Sequence, residues 1–343
     1  MAEIGSICTV TEKCIYFVMD ECMGMDHQGC KVKQNILDGN FDDAAIKRIK
    51  KANTGIEGKA VLITGCSGSF GTAFCEYIKS HNLKPRKLVC FSRDYMKQQA
   101  LREKVGDMDC MQGEGCWLTG DVRDLERLKK AFNGIDIVIH CAAMKHIQNC
   151  ENDPQEALLT NVIGTNNVVE AALYRKVHKV MLISTDKAVE SITAYGTTKA
   201  MAEALIIGGN KYKGTSDTRF SVCRYGNVAG SNGSVLPIFK KLIAEGAEYL
   251  PVTDDRCTRF WYPMKDAIEF VLDSIEKMQG GEVFIPRIPS IRIIDLCAAL
   301  NMPYKVVGLR CQEKIHEKLT ADYSSDKNEF LTIEQIKESI GLC

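Results

Sequence analysis

From Lys59 onward, short β-branched runs alternate with helical patterns, and few folds accept that order. The runs are KAVLIT, followed by a helix to about Ser80; KLVCFS, followed by a helix through Lys97 to Lys104; and GCWLTG, followed by a helix from Asp124. DIVIHCAA, a long helix from Pro154 to Arg175, KVMLIST, a helix containing Tyr195 and Lys199, and FSVCRY continue the series. Strands that alternate with helices must pair in parallel, because each crossover returns the chain to the same edge, and both sheet faces are then covered. Right-handed crossovers make this a doubly wound α/β Rossmann sheet.

After Gly226 the pattern loosens into Gly, Ser, Asn and Asp-rich loops with shorter elements: a helix from Leu236 to Glu245, another from Lys265 to Met278, and an EVFIP strand. This part reads as a smaller C-terminal substrate-binding lobe over the carboxyl edge of the sheet, where ligands of this architecture bind. The expected division is an extension at 1–55, a dinucleotide-binding core at 56–226 and a mainly substrate-binding lobe at 227–343 with short returns to the core. In the extension, Phe41, Ala45, Ile46 and Ile49 share one helical face, which Asp38 or Asn40 could cap.

Charge narrows the functional classes. Forty-four basic and 44 acidic side chains cancel, which leaves no electrostatic footprint for nucleic acid or an anionic membrane. No run approaches the ~18 apolar residues of a span, and the N-terminus lacks the basic-then-apolar order of a signal peptide, so a cytoplasmic protein is expected. The 16 cysteines include no Cys-x-x-Cys pair, and Cys90, Cys141 and Cys223 lie in apolar runs where a thiol acts as a small hydrophobe. Cys8, Cys14, Cys22, His27 and Cys30 cluster locally, but their spacings match no usual ligand set, and no metal is expected.

Four motifs carry chemistry. The first strand runs into Thr64-Gly65-Cys66-Ser67-Gly68-Ser69-Phe70-Gly71 and then a helix, so backbone N–H groups and the helix dipole can hold a pyrophosphate. After the second strand, Arg93 with Ser92 and Lys97 suits a 2′-phosphate and favours NADP, while Asp94 leaves NAD open. Asp121, after the third strand, can accept from an adenine amino group. Tyr195 and Lys199 stand four apart on one helix face, where the ammonium is expected to lower the phenol's pKa and make Tyr195 an acid/base at a carbinol.

Together with TGCSGSFG, FSRDYMKQ, GDVRD, HCAAMKH, TNVIGT, STDKAVESITAYGTTK, RYGNVAGSNGSVLPIF, PVTDDRCTRFW, GGEVFIPRIPS and GLRCQEKIHE, these motifs make the chain resemble the extended short-chain dehydrogenase/reductase family. Within it the chain is similar to the UDP-N-acetylglucosamine 4,6-dehydratases, especially their C5-inverting branch; retaining relatives are typically larger, membrane-attached and carry methionine where this chain has Tyr195. The resemblance spans residues 59 to about 320 and leaves the first fifty or so without a counterpart.

It implies that Tyr195 removes the 4-hydroxyl proton, that Thr185 orients that hydroxyl, and that Asp186, held protonated, donates to the leaving 6-hydroxyl. Lys187, its pKa lowered by burial and by Lys199, would take the C5 proton. Asn161 would be the family's structural and proton-relay asparagine. Val122, Ala142 and Ala143 would line the cofactor, and Lys145 and His146 would touch substrate or cofactor. Tyr225, Asn227, Val235, Thr253, Arg259, Arg310 and Glu313 would hold the UDP-sugar, with the guanidinium forks suited to a diphosphate. Relatives usually carry Pro-Gly where this chain has Cys311-Gln312. A homo-oligomer, at least a dimer, is also implied. Alternatives are a retaining dehydratase, a UDP-hexose 4-epimerase, or a non-catalytic Rossmann scaffold or redox sensor.

Overall fold

The computed structural model describes residues 55–106, 109–110, 113–114, 116–231 and 233–342. The Phe41–Lys51 helix and the Cys8–Cys30 cluster expected from sequence lie outside them. Seven strands form the main sheet: β1 (Ala60–Thr64), β2 (Lys87–Ser92), β3 (Cys116–Thr119), β4 (Ile137–His140), β5 (Lys179–Thr185), β6 (Arg219–Tyr225) and β7 (Val283–Phe284). Their order is β7-β6-β5-β4-β1-β2-β3, and every neighbouring pair is parallel. The order reverses between β1 and β4, which opens a crevice at the carboxyl ends of those strands.

The strands are apolar on both sides because both faces are covered. Val61 and Ile63 of β1 point into one core with Phe74 and Ile78 of helix α1 (Ser69–Ser80). Ala60 and Leu62 point into the other with Leu128 of α3 (Leu125–Ala131), Val168 and Ala172 of α4 (Gly164–Arg175), and Ala202 and Ile206 of α5 (Ala194–Tyr212). Helix α2 (Tyr95–Val105) follows β2, with the Asp94 side chain accepting from the Lys97 amide at 3.0 Å.

Two later elements come back to this core: β7 joins the sheet edge, and α7 (Met264–Lys277) places Val271 and Ile275 beside Phe74. The remaining C-terminal residues build a smaller core around Leu236 and Phe239 of α6 (Val235–Ala244), with Trp261, Ile291, Leu296 and Ile336. Two strand pairs there, Leu250–Val252 with Tyr304–Val306 and Thr258–Phe260 with Ser290–Arg292, carry no clear sequence signal because each strand is only three residues long.

One expected element differs. Pro154–Arg175 is not a single α-helix: after Pro154–Ala157 the chain makes a π turn over Leu158–Ile163 before α4 begins. The extra residue in that turn brings the Asn161 side chain inward to the Met144 backbone, whose N–H and carbonyl its amide meets at 2.8 and 3.0 Å.

Candidate active site

At the crevice β1 ends in Gly65, whose φ of +68° and close approach both require glycine: a Cβ there would stand 2.8 Å from the Ala142 backbone. The turn then feeds α1, which starts at Gly68 without a side-chain cap, so its first N–H groups have no partner within the helix. Ser67 and Ser92 share a 2.7 Å hydroxyl hydrogen bond, and Lys145 donates to Ser69 at 3.3 Å. Burial lowers the Lys145 pKa. Arg93 is exposed at the rim, 3.9 Å from Asp121. Asp121 also accepts from the Arg123 amide and guanidinium at 3.0 and 2.8 Å; burial raises its pKa, and these contacts more than offset that. Lys97 pairs with Asp94 at 3.5 Å. Val122 is buried, and Ala142 and Ala143 are partly so.

Below the crevice runs a relay that the sequence did not single out. Thr165 donates to the Asn161 carbonyl at 2.6 Å, so its oxygen must accept from His140 Nε2 at 3.0 Å. His140 Nδ1 therefore accepts from the Thr64 hydroxyl at 2.8 Å, and Thr64 Oγ1 accepts in turn from the Cys141 and Ala142 amides at 3.2 Å each. Burial first, and Lys199 second, lower the His140 pKa to about 3, which keeps the imidazole neutral. The relay ties β1, β4 and Asn161 together. Asn161 also donates to Thr198 at 3.0 Å, and Thr198 to the Tyr195 carbonyl at 2.8 Å, so its amide fixes the start of α5.

The residues expected to serve as acid and base meet where β5 ends. Thr185 caps the short turn Asp186–Ala188 and donates to Asp186 Oδ1 at 2.9 Å. α5 begins directly against this turn, since a Cβ on Gly196 would lie 2.2 Å from the Lys187 carbonyl oxygen; only glycine allows the approach. Thr193 caps the helix through the Gly196 amide at 2.9 Å. Asp186 is buried and its pKa is raised, first by loss of solvent and then by Glu317, against the pull of Lys187.

Two expectations need correction. Burial lowers the Lys187 pKa, but Asp186 at 3.1 Å and Glu317 at 3.3 Å outweigh it and hold the ammonium charged, above the ordinary lysine range. The Tyr195 phenol is not lowered by Lys199: burial pushes it up to about 12, and the cation that opposes this is Lys187. Lys199 donates to the Ile183 carbonyl at 2.7 Å, and its burial lowers its pKa to about 8, with Glu203 resisting.

On the C-terminal side, Lys187 donates to Asn227 at 3.5 Å. Buried Arg259 does not present a free fork. Its Nη1 donates to the Thr258 and Ile315 carbonyls at 2.8 and 2.9 Å, and its Nη2 to Glu313 at 3.0 Å, because a buried guanidinium needs its donors met. Thr253 donates to the same Glu313 oxygen at 3.0 Å. Tyr225 is buried beside Phe70 and Tyr262, and Val235 opens α6. His146 is exposed and stands against Gly233, while Arg310 is exposed on the loop before Glu313. Glu317 was also missed as a site residue: it joins Lys187 across 130 positions, and only its acidic character in the GLRCQEKIHE segment could have flagged it.

A glycine turn at the sheet's switch point, with Tyr195 and Lys199 on the helix after β5, defines a short-chain dehydrogenase/reductase that uses a nicotinamide dinucleotide, and the tight Gly65 turn and uncapped α1 fit that group. The chain belongs to the family described as polysaccharide biosynthesis protein, which it matches over residues 61–338. It is 45% identical over 288 residues to a Campylobacter jejuni protein named UDP-N-acetylglucosamine 4,6-dehydratase (inverting), covering 83% of this chain and 84% of the other. It is 37% identical over 271 residues to a UDP-glucose 4-epimerase of Rickettsia prowazekii, covering 77% and 78%. Among solved structures, Pen from Bacillus thuringiensis superposes with a TM-score of 0.76 at 33% identity, covering 83% of this chain and 98% of that one.

Proposed function

We propose that this chain dehydrates UDP-N-acetylglucosamine across C5 and C6 to a UDP-4-keto-6-deoxy-HexNAc with inverted C5. The observation that carries the reading is the Asp186–Lys187 pair beside Tyr195 at the end of β5. Epimerisation at C4 requires one acid/base group, whereas elimination also requires a proton acceptor at C5 and a donor at the C6 hydroxyl. The 45% identity to inverting dehydratases over most of both chains supports the same choice.

The bound nicotinamide supplies a hydride acceptor for C4 of the sugar and a hydride donor for C6. Tyr195 takes the proton of the 4-hydroxyl, which Thr185 orients, and can do so only after its own phenol has lost its proton; the resulting ketone acidifies the C5 hydrogen. Asp186, raised by burial, is the acid for the 6-hydroxyl. Lys187 is the group for the C5 proton and can act only after passing its own proton to one of the carboxylates within 3.3 Å. Lys199 holds the ribose side of the cofactor, and Asn161 sets the register of α5. In this reading residues 56–226 carry the cofactor and 227–343 mainly the nucleotide sugar, with Arg259 and Glu313 fixing the wall of its site and Asn227 the sugar end.

The cofactor is NADP. Ser92 and exposed Arg93 support it, while Asp94, which caps α2 through the Lys97 amide, leaves NAD open. A homo-oligomer is supported by exposed apolar side chains, Leu158, Ile163 and Met201, on the π turn and α5. Among the described residues no helix is long and apolar enough to cross a membrane, and ten cysteines are free, which fits a reducing cytoplasm. Mass spectrometry after incubation with UDP-N-acetylglucosamine tests the reading: loss of one water is expected, and an unchanged mass overturns it. Early-time NMR couplings then read the C5 configuration before the ketone epimerises by itself.

A further inference from the structure

Lys187 lies between two carboxylates. Its Nζ is 3.1 Å from Asp186 Oδ1 and 3.3 Å from Glu317 Oε1, and those side chains are 1% and 5% exposed. The second oxygen of each, Asp186 Oδ2 and Glu317 Oε2, is buried with no hydrogen-bond partner among the described residues. Glu317 is fixed from its backbone, since its N–H donates to Ser325 Oγ at 3.0 Å and its carbonyl accepts from the Ser325 N–H at 2.9 Å.

Two carboxylates share the Lys187 ammonium in so little solvent, and a proton added to the cluster goes to one of them. The surroundings decide which one. Tyr195 faces the cluster from α5 and Arg259 from the Thr258–Phe260 strand. Glu313 pairs with Arg259, Lys314 of the same loop donates to the Val189 carbonyl at 2.6 Å, and His316 bonds the Thr258 hydroxyl at 2.8 Å. Burial raises the Glu317 pKa, and Lys187, Arg259 and Lys314 together bring it below the ordinary range. Asp186 is raised by burial and by Glu317, which Lys187 does not offset. Neighbouring groups pushed in opposite directions mark an acid and a base.

We infer that Glu317 is a positioning residue that, acting through Lys187, holds the ammonium proton Lys187 must give up before it can take the C5 proton during dehydration. The inference rests on the dehydratase reading above. Lys187 passes an ammonium proton to Glu317 Oε1, and its freed lone pair takes the C5 proton. The C5–H electron pair moves into the enolate of the 4-ketone, and the enolate then expels the 6-hydroxyl, which leaves as water with the proton of Asp186. The cluster starts with Asp186 neutral, Lys187 cationic and Glu317 anionic, and ends with Asp186 anionic, Lys187 cationic and Glu317 neutral. Charge is conserved: the ammonium faces anionic Glu317 at the start, the enolate while both carboxyls are neutral, and anionic Asp186 at the end.

The test compares wild type, E317Q and E317D in three readouts: water loss from UDP-N-acetylglucosamine, exchange of substrate C5 hydrogen in deuterated water, and single-turnover C4 oxidation followed by reduced-nicotinamide absorbance. In E317Q, kcat is expected to fall about 100-fold or more and C5 exchange to fall with it, while KM and C4 oxidation stay within about three-fold. Wild type loses kcat as pH falls through the Glu317 pKa; E317Q lacks that limb, and E317D restores it with part of the rate. C5 exchange in E317Q equal to wild type, or an equal loss of C4 and C5 chemistry, overturns the inference. Should E317Q not fold, E317D decides: a ratio of C5 exchange to C4 oxidation equal to wild type overturns it, and a lower ratio supports it. A wild-type protein that releases no water instead refutes the dehydratase reading, so the two failures are distinct.

Discussion

The two halves of the carboxyl edge are built differently. Around β1 and β2 the site comes from residues close in sequence, Gly65 to Gly71 and Ser92 to Lys97, and its interactions are mostly backbone amides and hydroxyls. Around β5 it comes from segments far apart, Thr185–Lys187, Tyr195–Lys199, Thr253–Arg259 and Glu313–Glu317, and its interactions are mostly buried charges. A contiguous site is specified by local chain geometry. An assembled site depends on which charges the fold brings together, and its protonation states belong to the cluster instead of to any one residue.

The largest effect should fall on the assembled half. In the proposed mechanism Tyr195→Phe removes the group that accepts the 4-hydroxyl proton, and single-turnover C4 oxidation should fall about 10³-fold, roughly 4 kcal/mol in the barrier. Oxidation at an unchanged rate would move that acid/base role off α5. Next is the scaffold beneath it. Arg224 Nε pairs with Glu203 of α5 at 3.0 Å, and its Nη1 holds the Leu319 carbonyl, just beyond Glu317, at 2.9 Å. Glu203→Ala leaves that partly buried guanidinium without its anion and should cost about 2 kcal/mol in denaturant unfolding. A loss below about 1 kcal/mol would mean that the assembled half does not depend on this pair.

The contiguous half should respond less. Arg93→Asp turns an attraction for a 2′-phosphate into a repulsion and should weaken NADP binding by about 2 kcal/mol in calorimetry while leaving NAD binding nearly unchanged. Equal effects on both cofactors would remove Arg93 from phosphate recognition. The smallest effect is expected away from both halves, where Asp136 accepts from the Ala60 amide at 2.7 Å and from Arg86 at 2.9 Å. Burial raises its pKa, and these two partners bring it below the ordinary range. Its stabilisation is therefore present above the unfolded carboxylate pKa of about 4 and lost as pH falls through the lower folded value. Asp136→Asn should melt earlier than wild type at neutral pH and converge with it below about pH 3.

The strand–helix alternation and the glycine turn were legible because each is a short-range pattern: an unbroken buried run on β1, a positive-φ glycine, a cap such as Asp94. Tyr195 and Lys199 were legible from their helical spacing, whereas Thr185, Asp186 and Lys187 were named through the family resemblance, and the structure puts them at the end of β5. Their states were not legible. Lys199 was expected to act on Tyr195, yet the fold directs it to the Ile183 carbonyl. Arg259 was expected to offer a free fork, yet burial engages it with two carbonyls and Glu313. The π turn was hidden because one extra residue per turn barely disturbs the apolar spacing of a helix.

The sequence by itself determined the parallel sheet, the cofactor turn and the residue types at the carboxyl edge, because backbone conformation and hydrophobic periodicity are set within a few residues of chain. Only the tertiary structure decided that Lys187 stays an ammonium between Asp186 and Glu317, that His140 is neutral, and that the Tyr195 phenol lies near 12. Those outcomes depend on burial and on the distance to partners as much as 130 positions away, and charges strengthen one another only once folding has removed the water between them.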